Sequence, residues 1–132
     1  MIDKIHYGNT GKPDLIKRNP TKPCPDSPNC VRLSMDYDLD LNELKTCVEI
    51  TLKMMGAKDL VSDYEKNFFS GVFQVFIFKD DLTVYCEDYN SHSLLHLKSA
   101  SRVGYGDLGV NKRRVKKFLQ KLALMIEERQ KH

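Results

Sequence analysis

The amino-acid sequence predicts an α+β fold, in which an antiparallel sheet of about four strands carries two helices on one face. Two of the observations that predict this fold concern the spacing of apolar residues and the local composition. Apolar residues recur at helical spacing over 41–55 and over 112–129, and the stretch between is rich in β-branched and aromatic residues. A third is the order of helix, strands and helix, which favours a meander with both helices on one side. We expect the other face of the sheet to be open to solvent, a partner or a ligand.

The first helix is predicted from its cap and its apolar stripe. Asp40, with Glu43 three residues later, has the spacing of a capping box, and Gly56 suits the position just after a helix ends. The stripe between them consists of Leu41, Leu44, Val48, Leu52 and Met55. These features predict a helix over 41–55.

The strands are predicted from runs of β-forming residues. Residues 72–78 are dense enough in such residues for a central strand. Asp80 and Asp81 interrupt the run before 82–86 resumes it, which predicts a tight hairpin at the two acids. A long strand and a weaker one complete the sheet, over 94–103 and 59–65.

The last helix is predicted over 112–129, with Asn111 as its N-cap. Five of the six residues 112–117 are basic, whereas Glu127 and Glu128 lie near the helix end. Both placements oppose the helix macrodipole, at a cost of about 1–3 kcal/mol at low salt. We therefore expect a compensating group at the helix start, either a carboxylate such as Asp107 or an external anion.

Length and composition indicate a single small domain of 132 residues. All five prolines precede residue 29, which predicts an extended arm over 1–36 and an α+β domain over 37–132. The formal net charge of +3 is too small to indicate nucleic acid, and double-stranded nucleic acid is disfavoured. No apolar run is long enough for a membrane span, and the N-terminus resembles neither a signal nor a transit peptide. We expect a soluble, cytoplasmic protein.

Three glycines before the last helix have the G-x-G-x-x-G spacing of a dinucleotide-binding loop, at Gly104, Gly106 and Gly109. That loop works inside a strand–helix–strand unit, and here no second strand follows the helix. A Rossmann-type nucleotide site is therefore excluded. The glycines instead let the backbone turn sharply from sheet to helix with positive φ.

Cys24 and Cys30 flank a loop that contains two prolines. The spacing fits a structural turn, a thiol pair that can close a disulfide, or part of a metal site. A disulfide of this loop length is worth about 2–2.5 kcal/mol, and in the cytoplasm it would be redox-labile. A metal site needs more ligands, and nothing pairs the cysteines with the available histidines, His6, His92 and His96. We expect no metal.

Nucleophilic catalysis has little support from the sequence. Ser27, Ser99 and Ser101 are candidate nucleophiles and His92 or His96 a candidate base, but no spacing links them. No reaction and no cofactor are predicted, and the balance of features favours a protein that is not an enzyme.

Three ordered motifs resemble an uncharacterised family, domain of unknown function 1499. They are CPDSPNCV at 24–31, FKDDLTV at 78–84 and KSASRVGYGDLGVNKRR at 98–114. The chain departs from the family pattern at Lys98, where arginine is usual, and at Gly106, where serine is frequent. The resemblance implies no activity; it selects Cys24, Pro25, Ser27, Pro28, Asn29, Cys30, Asp80, Asp81, Ser99, Ser101, Arg102, Gly104, Asp107, Gly109, Asn111 and Arg114.

The leading hypothesis is a binding module with a basic, anion-attracting site at the turn 98–114, for a small anion or an acidic partner. Lys98 and Arg102 share one face of a strand there. The predicted anion-binding residues are Lys98, Arg102, Gly104, Asn111 and Arg114. The predicted supporting residues are Asp80, Asp81, Ser99, Ser101, Asp107 and Gly109.

Three alternatives stay open. Arg102 instead pairs with Asp107 or Asp81 inside the fold, and the lysines are simply solvated. The protein is a thiol-dependent redox protein or enzyme that uses Cys24 and Cys30. The uncovered sheet face is a surface for binding another protein.

Overall fold

One sheet organises the structure, a computed structural model that describes residues 8–10, 13–25, 29–103 and 109–131. Its strands follow the order β1-β2-β6-β5-β4-β3, and the neighbours from β2 to β3 are antiparallel, whereas β1 joins β2 in parallel. In chain order the elements are β1 (Gly8–Thr10), α1 (Pro13–Ile16), β2 (Cys30–Tyr37), α2 (Leu41–Met54), β3 (Lys58–Asp63), β4 (Phe68–Val75), β5 (Phe78–Tyr89), β6 (His92–Ser101) and α3 (Val110–Gln130).

The α+β class and the antiparallel sheet are confirmed, but the predicted numbers of strands and helices are wrong. The described ranges contain five antiparallel strands, the short parallel strand β1, and three helices. The main omission is β2, which lies between β1 and β6 and falls inside the predicted arm. Val31, Leu33 and Met35 do alternate with polar residues, a strand signal that the adjacent prolines obscured.

The β4–β5 hairpin turns four residues earlier than predicted. Val75 pairs with Phe78, so Phe76 and Ile77 form the two-residue connection. Asp80 and Asp81 lie within β5, and each is paired with residues of both β4 and β6. Adjacent acidic residues indicate a turn when their carboxylates are hydrated at the surface. Here each carboxylate is paired with an arginine instead.

The helices are closer to expectation. Asp40 caps α2, because its Oδ2 accepts hydrogen bonds from the backbone N–H groups of Asn42 and Glu43 at 3.0 and 3.2 Å. At α3 the N-cap prediction is wrong. Gly109 occupies that position with φ of 79°, and Asn111 is fully buried as the second residue of the helix.

Helices α2 and α3 share one hydrophobic core with a single face of the sheet. The core includes buried residues of α2, α3 and the central strands, namely Leu44, Val48, Leu52, Val115, Phe118, Leu122, Leu33, Val84, Leu95 and Leu97. Each large apolar side chain buried here stabilises the fold by roughly 1.5–3 kcal/mol. The two helices are thereby fixed relative to the strand ends that flank them.

The opposite face is not open as expected, because residues 13–25 lie across part of it. The Asn19 side chain donates to the Leu33 carbonyl at 3.0 Å, and Arg32 donates to the Asn19 carbonyl at 3.0 Å. Arg32 and Ser34 are consequently buried although they face away from the core. The predicted boundary near residue 36 therefore falls inside one continuous sheet.

No helix in the described part of the chain combines the length and the apolar character that crossing a bilayer requires.

Candidate functional site

A buried polar cluster joins the end of β6, the start of α3 and the residue before β2. We call it the junction cluster; its members are Asn29, Asp80, Ser99, Ser101, Asn111 and Arg114. They come from three distant parts of the sequence, and these parts carry the three motifs that the resemblance selected. The sheet brings them together because β2 and β5 both flank β6.

Asn111 is the centre of the cluster. Its side-chain Oδ1 accepts from Ser99 Oγ at 2.5 Å and from Arg114 Nη1 at 3.0 Å. Its Nδ2 donates to the Asn29 carbonyl at 3.1 Å and to Ser101 Oγ at 2.9 Å. Both donors and both acceptor positions of one amide are thus used, which is the most that an asparagine side chain offers. Asn111 therefore fixes α3 to β6 and to the segment before β2.

Arg114 and Asp80 form a buried ion pair beside Asn111. Arg114 Nη1 donates to Asp80 Oδ2 at 2.6 Å, and the two side chains are 8% and 4% exposed. The guanidinium also lies over the ring of Phe73, 4.9 Å from its centroid. This pair holds the first turns of α3 against β4 and β5.

The neighbouring pair, Arg102 and Asp81, lies on the opposite face of the sheet. It is bidentate, with distances of 3.0 and 2.9 Å, and both side chains are 46% exposed. The alternative in which Arg102 pairs with Asp81 is therefore the one observed. The pair lies at the surface and not inside the fold. An exposed pair of this kind contributes about 0–1 kcal/mol, so Arg102 can exchange its partner at little cost.

Lys98 also lies on that opposite face, away from Arg114. Its ammonium group donates to the Lys22 carbonyl at 2.9 Å and so ties down the arm. Burial lowers the pKa of Lys98, and the nearby positive charges of Arg32 and Lys22 lower it further. Lys98, Arg102 and Arg114 therefore do not converge on one point in this structure. Among the remaining predicted residues, Gly104, Gly106 and Asp107 lie outside the described residues.

A second feature of this end of the molecule was missed from the sequence. The hairpin tip exposes Phe76 and Ile77 to 86% and 83%. The Val75–Phe78 pair lies two residues beyond the Phe73–Asp80 pair that Arg114 contacts, a distance of about 7 Å. The apolar run 72–78 predicted an uninterrupted strand, because it contains none of the residues that favour turns.

The first turn of α3 lies at the same end. It holds Lys112 and Arg113 before Arg114, and no acidic residue. The backbone N–H of Arg102 donates to the Lys79 carbonyl at 2.9 Å, which places two further cations beside the hairpin. We call this surface the basic end and define it by Phe76, Ile77, Lys79, Arg102, Lys112 and Arg113.

Cys24 and Cys30 form a disulfide, with their Cα atoms 5.7 Å apart. The bond ties the end of the covering arm to the first residue of β2. Cys30 is 1% exposed and Cys24 is half-buried. Ser27 and Pro28, inside the loop, lie outside the described residues. Cys47 and Cys86 are free and buried, and burial raises the pKa of their thiols to about 11 and about 12.

A Ser–His–Glu chain lies beneath the arm and was not anticipated. Ser34 Oγ and His96 Nδ1 are 2.7 Å apart, and His96 Nε2 and Glu87 Oε1 are 2.9 Å apart. The Asn19 side chain also donates to Ser34 Oγ, and Ser34 is 3% exposed. Because the hydroxyl is enclosed on all of these sides, a substrate has no approach to it here. The chain fastens β2, β6, β5 and the arm together.

His92 lies at the surface beside a carboxylate. His92 Nδ1 lies 2.9 Å from Asp36 Oδ1, and this hydrogen bond raises the pKa of the exposed imidazole.

Within the part of the chain that the structure describes, no three His, Cys, Asp or Glu side chains are placed to hold a metal ion. Ser99 and Ser101 contact Asn111 rather than a histidine.

The two ion pairs provide a matched test of burial. We expect Arg114→Ala to lower the free energy of unfolding by about 3–5 kcal/mol, because it leaves the Asp80 carboxylate buried without its partner. Arg102→Ala should lower it by at most about 1 kcal/mol. Urea denaturation of both variants measures the difference. Equal losses of unfolding free energy in the two variants would contradict the conclusion that the buried Arg114–Asp80 pair holds α3 to the sheet.

The buried histidine predicts a pH dependence of stability. Burial lowers the pKa of His96 in the folded state, with Arg18 and Arg32 acting in the same direction and Glu87 against it. The unfolded chain therefore binds a proton more readily, and the free energy of unfolding should fall as the pH drops below about 6.5.

This slope should be smaller in His96→Gln, measured by urea denaturation between about pH 7.5 and 5.5. His92→Gln is the control, because the raised pKa of His92 acts in the opposite direction and its removal cannot reduce the slope. An unchanged slope in His96→Gln would refute the role assigned to burial.

The comparisons with known proteins agree with the motifs that form the junction cluster. A family model described as protein of unknown function (DUF1499) matches residues 21–122, which include the disulfide, every member of the cluster and most of α3. The search of curated proteins finds no match to this chain. The resemblance identified from the sequence is confirmed, and the chain belongs to the DUF1499 family.

Proposed function

We propose that this protein is a binding module that holds an anionic partner at the basic end. The observation that carries the proposal is the start of α3, where the first turn holds Lys112 and Arg113 and no acidic residue, with Arg114 directly after them. The helix macrodipole adds positive potential at this point, and Gly109 supplies no side-chain cap. An external anion would be stabilised by this positive potential at the helix start.

The geometry divides the cations into two groups. Arg114 and Lys98 hold parts of the fold together, since Arg114 neutralises the buried Asp80 and the half-buried Lys98 donates a hydrogen bond to the arm. Arg102, Lys112 and Arg113 belong to the surface. Arg102 contributes because its pair with Asp81 is exposed and easily exchanged. The proposal therefore shifts the anion site from the turn as a whole to Lys112 and Arg113 at the helix start, and Arg102 adds positive charge from the other face of the same sheet end.

We expect inorganic tripolyphosphate to raise the melting temperature at constant ionic strength. At ten times the Kd the gain is about 1.4 kcal/mol, which corresponds to roughly 3–6 °C for a domain of this size. The double variant Lys112→Gln/Arg113→Gln should lose most of this rise, because it removes two charges from the helix start. Differential scanning fluorimetry measures both.

Lys121→Gln is the control, because it removes one charge from the same helix two turns further along. It should keep nearly the full rise. The proposal fails if tripolyphosphate has no effect on the wild type, or if Lys121→Gln loses as much of the rise as the double variant.

A second candidate function is thiol redox chemistry, favoured by the disulfide between Cys24 and Cys30. The two residues differ in exposure, because Cys24 is half-buried and Cys30 is enclosed, which favours attack at Cys24. An external thiolate would attack Cys24 Sγ and release the Cys30 thiolate, and a second thiol would then complete the two-electron reduction.

Thiol counting distinguishes this chemistry from a purely structural bond. We expect no reactive thiol in the native oxidised protein, and two after denaturation without reductant, from Cys47 and Cys86. Exchange with glutathione in the folded state, followed by rapid alkylation of Cys24 near neutral pH, would support the redox function. A bond that opens only after denaturation, or a reduced Cys24 with an ordinary pKa, would exclude it.

A further inference from the structure

The tip of the β4–β5 hairpin carries the two most exposed large apolar side chains among the described residues, Phe76 and Ile77. Phe78 and Val103 extend this apolar surface, at 46% and 62% exposed. Val103 lies next to Phe78, because the β5–β6 register pairs Asp80 with Ser101 and continues through the Arg102–Lys79 hydrogen bond. The tip is therefore the outermost part of a continuous apolar patch.

Folding alone does not account for Phe76 and Ile77 at this turn. Phe76 has φ of 57° at the first position of a two-residue hairpin connection, where glycine is the preferred residue. A bulky side chain is strained in that backbone region. Neither side chain gains burial in return, since both are more than four-fifths exposed. Backbone preference and the hydrophobic effect both act against this pair of residues.

Positively charged residues lie at the same end of the molecule as the patch. Lys79 follows the tip within β5, and Arg102 bonds to it from the adjacent strand end. The first turn of α3 contributes Lys112 and Arg113, and Lys116 and Lys117 follow about one turn further along the helix. Within 110–126 α3 carries no acidic residue. The tip extends beyond Arg114, because it lies past the pair of residues that Arg114 contacts.

We propose that the basic end docks on an anionic membrane surface, with Phe76 and Ile77 inserted at the boundary between headgroups and acyl chains. The inference rests on the proposed function and identifies its anion as lipid phosphate. A protruding apolar turn with cations behind it matches an interface that is negative at its surface and apolar a few ångströms below. The strained, exposed turn then gains the burial that the fold does not provide.

The test uses sedimentation of the full chain with vesicles of phosphatidylcholine alone or mixed with phosphatidylglycerol. We expect binding to the mixed vesicles, weakened by added salt, and little binding to phosphatidylcholine alone. Phe76→Gly/Ile77→Ser places a preferred turn sequence at the tip, so the hairpin should fold at least as well. Its affinity for mixed vesicles should fall by about tenfold or more.

Leu124→Ser is the matched control, because Leu124 is an exposed apolar residue about 15 Å along α3 from Arg114. It should change the affinity by less than about twofold. Since the chain contains no tryptophan, Ile77→Trp provides a second readout. Its emission should shift to the blue with mixed vesicles, whereas that of Leu124→Trp should not.

The outcomes separate this inference from the proposed function. Stabilisation by tripolyphosphate without vesicle binding would overturn the membrane inference and leave the proposed function standing. Absence of both would overturn both. Equal vesicle binding by Phe76→Gly/Ile77→Ser would refute insertion of the tip. Self-association of the wild type that this variant abolishes, without vesicle binding, would make the tip an interface between copies and also overturn the membrane inference.

Discussion

The buried ion pair between Arg114 and Asp80 is the constraint on which the arrangement of the basic end depends. Two oppositely charged groups removed from water tolerate only a narrow range of geometries, because a displaced partner leaves an uncompensated charge in the interior. The pair therefore fixes the rotation of α3 about its axis as well as its position. Asn111, one turn earlier, confirms the same register by using all of its hydrogen-bonding capacity.

This constraint explains how an unfavourable helix start persists. Basic residues at a helix N-terminus oppose the macrodipole, and one of the three, Arg114, is neutralised by Asp80. With the helix held in place by that contact, Lys112 and Arg113 lie at the same end of the sheet as the hairpin tip. The fold thus concentrates positive charge and exposed apolar surface at one end, while core packing along α2 and α3 supplies the stability.

The opposite face of the sheet is organised by the arm. The disulfide holds the end of residues 13–25 against β2, and Asn19, Arg32 and Lys98 bond across the contact. Ser34, His96 and Glu87 form a chain that resembles a catalytic triad in residue type, but the arm covers the serine. Access, rather than the presence of the three residue types, separates a structural chain from a catalytic one.

The sequence by itself determined the two long helices, the α+β class and the family. Apolar spacing and the Asp40 cap are local features, and the three motifs are read directly from the order of residues. Asp80, Asn111 and Arg114 were selected, but their mutual contacts were not.

Only the tertiary structure decided how each cation is held, because Lys98, Arg102 and Arg114 look alike in sequence and differ in the partner that each one meets and in how deeply that partner is buried. It also decided the hairpin turn. Asp80 and Asp81 read as turn residues until their arginine partners, 34 and 21 positions away, are placed beside them. The pairing of distant strands decides which side chains are buried and which charges are neutralised. A pattern of neighbouring residues in the sequence contains neither piece of information.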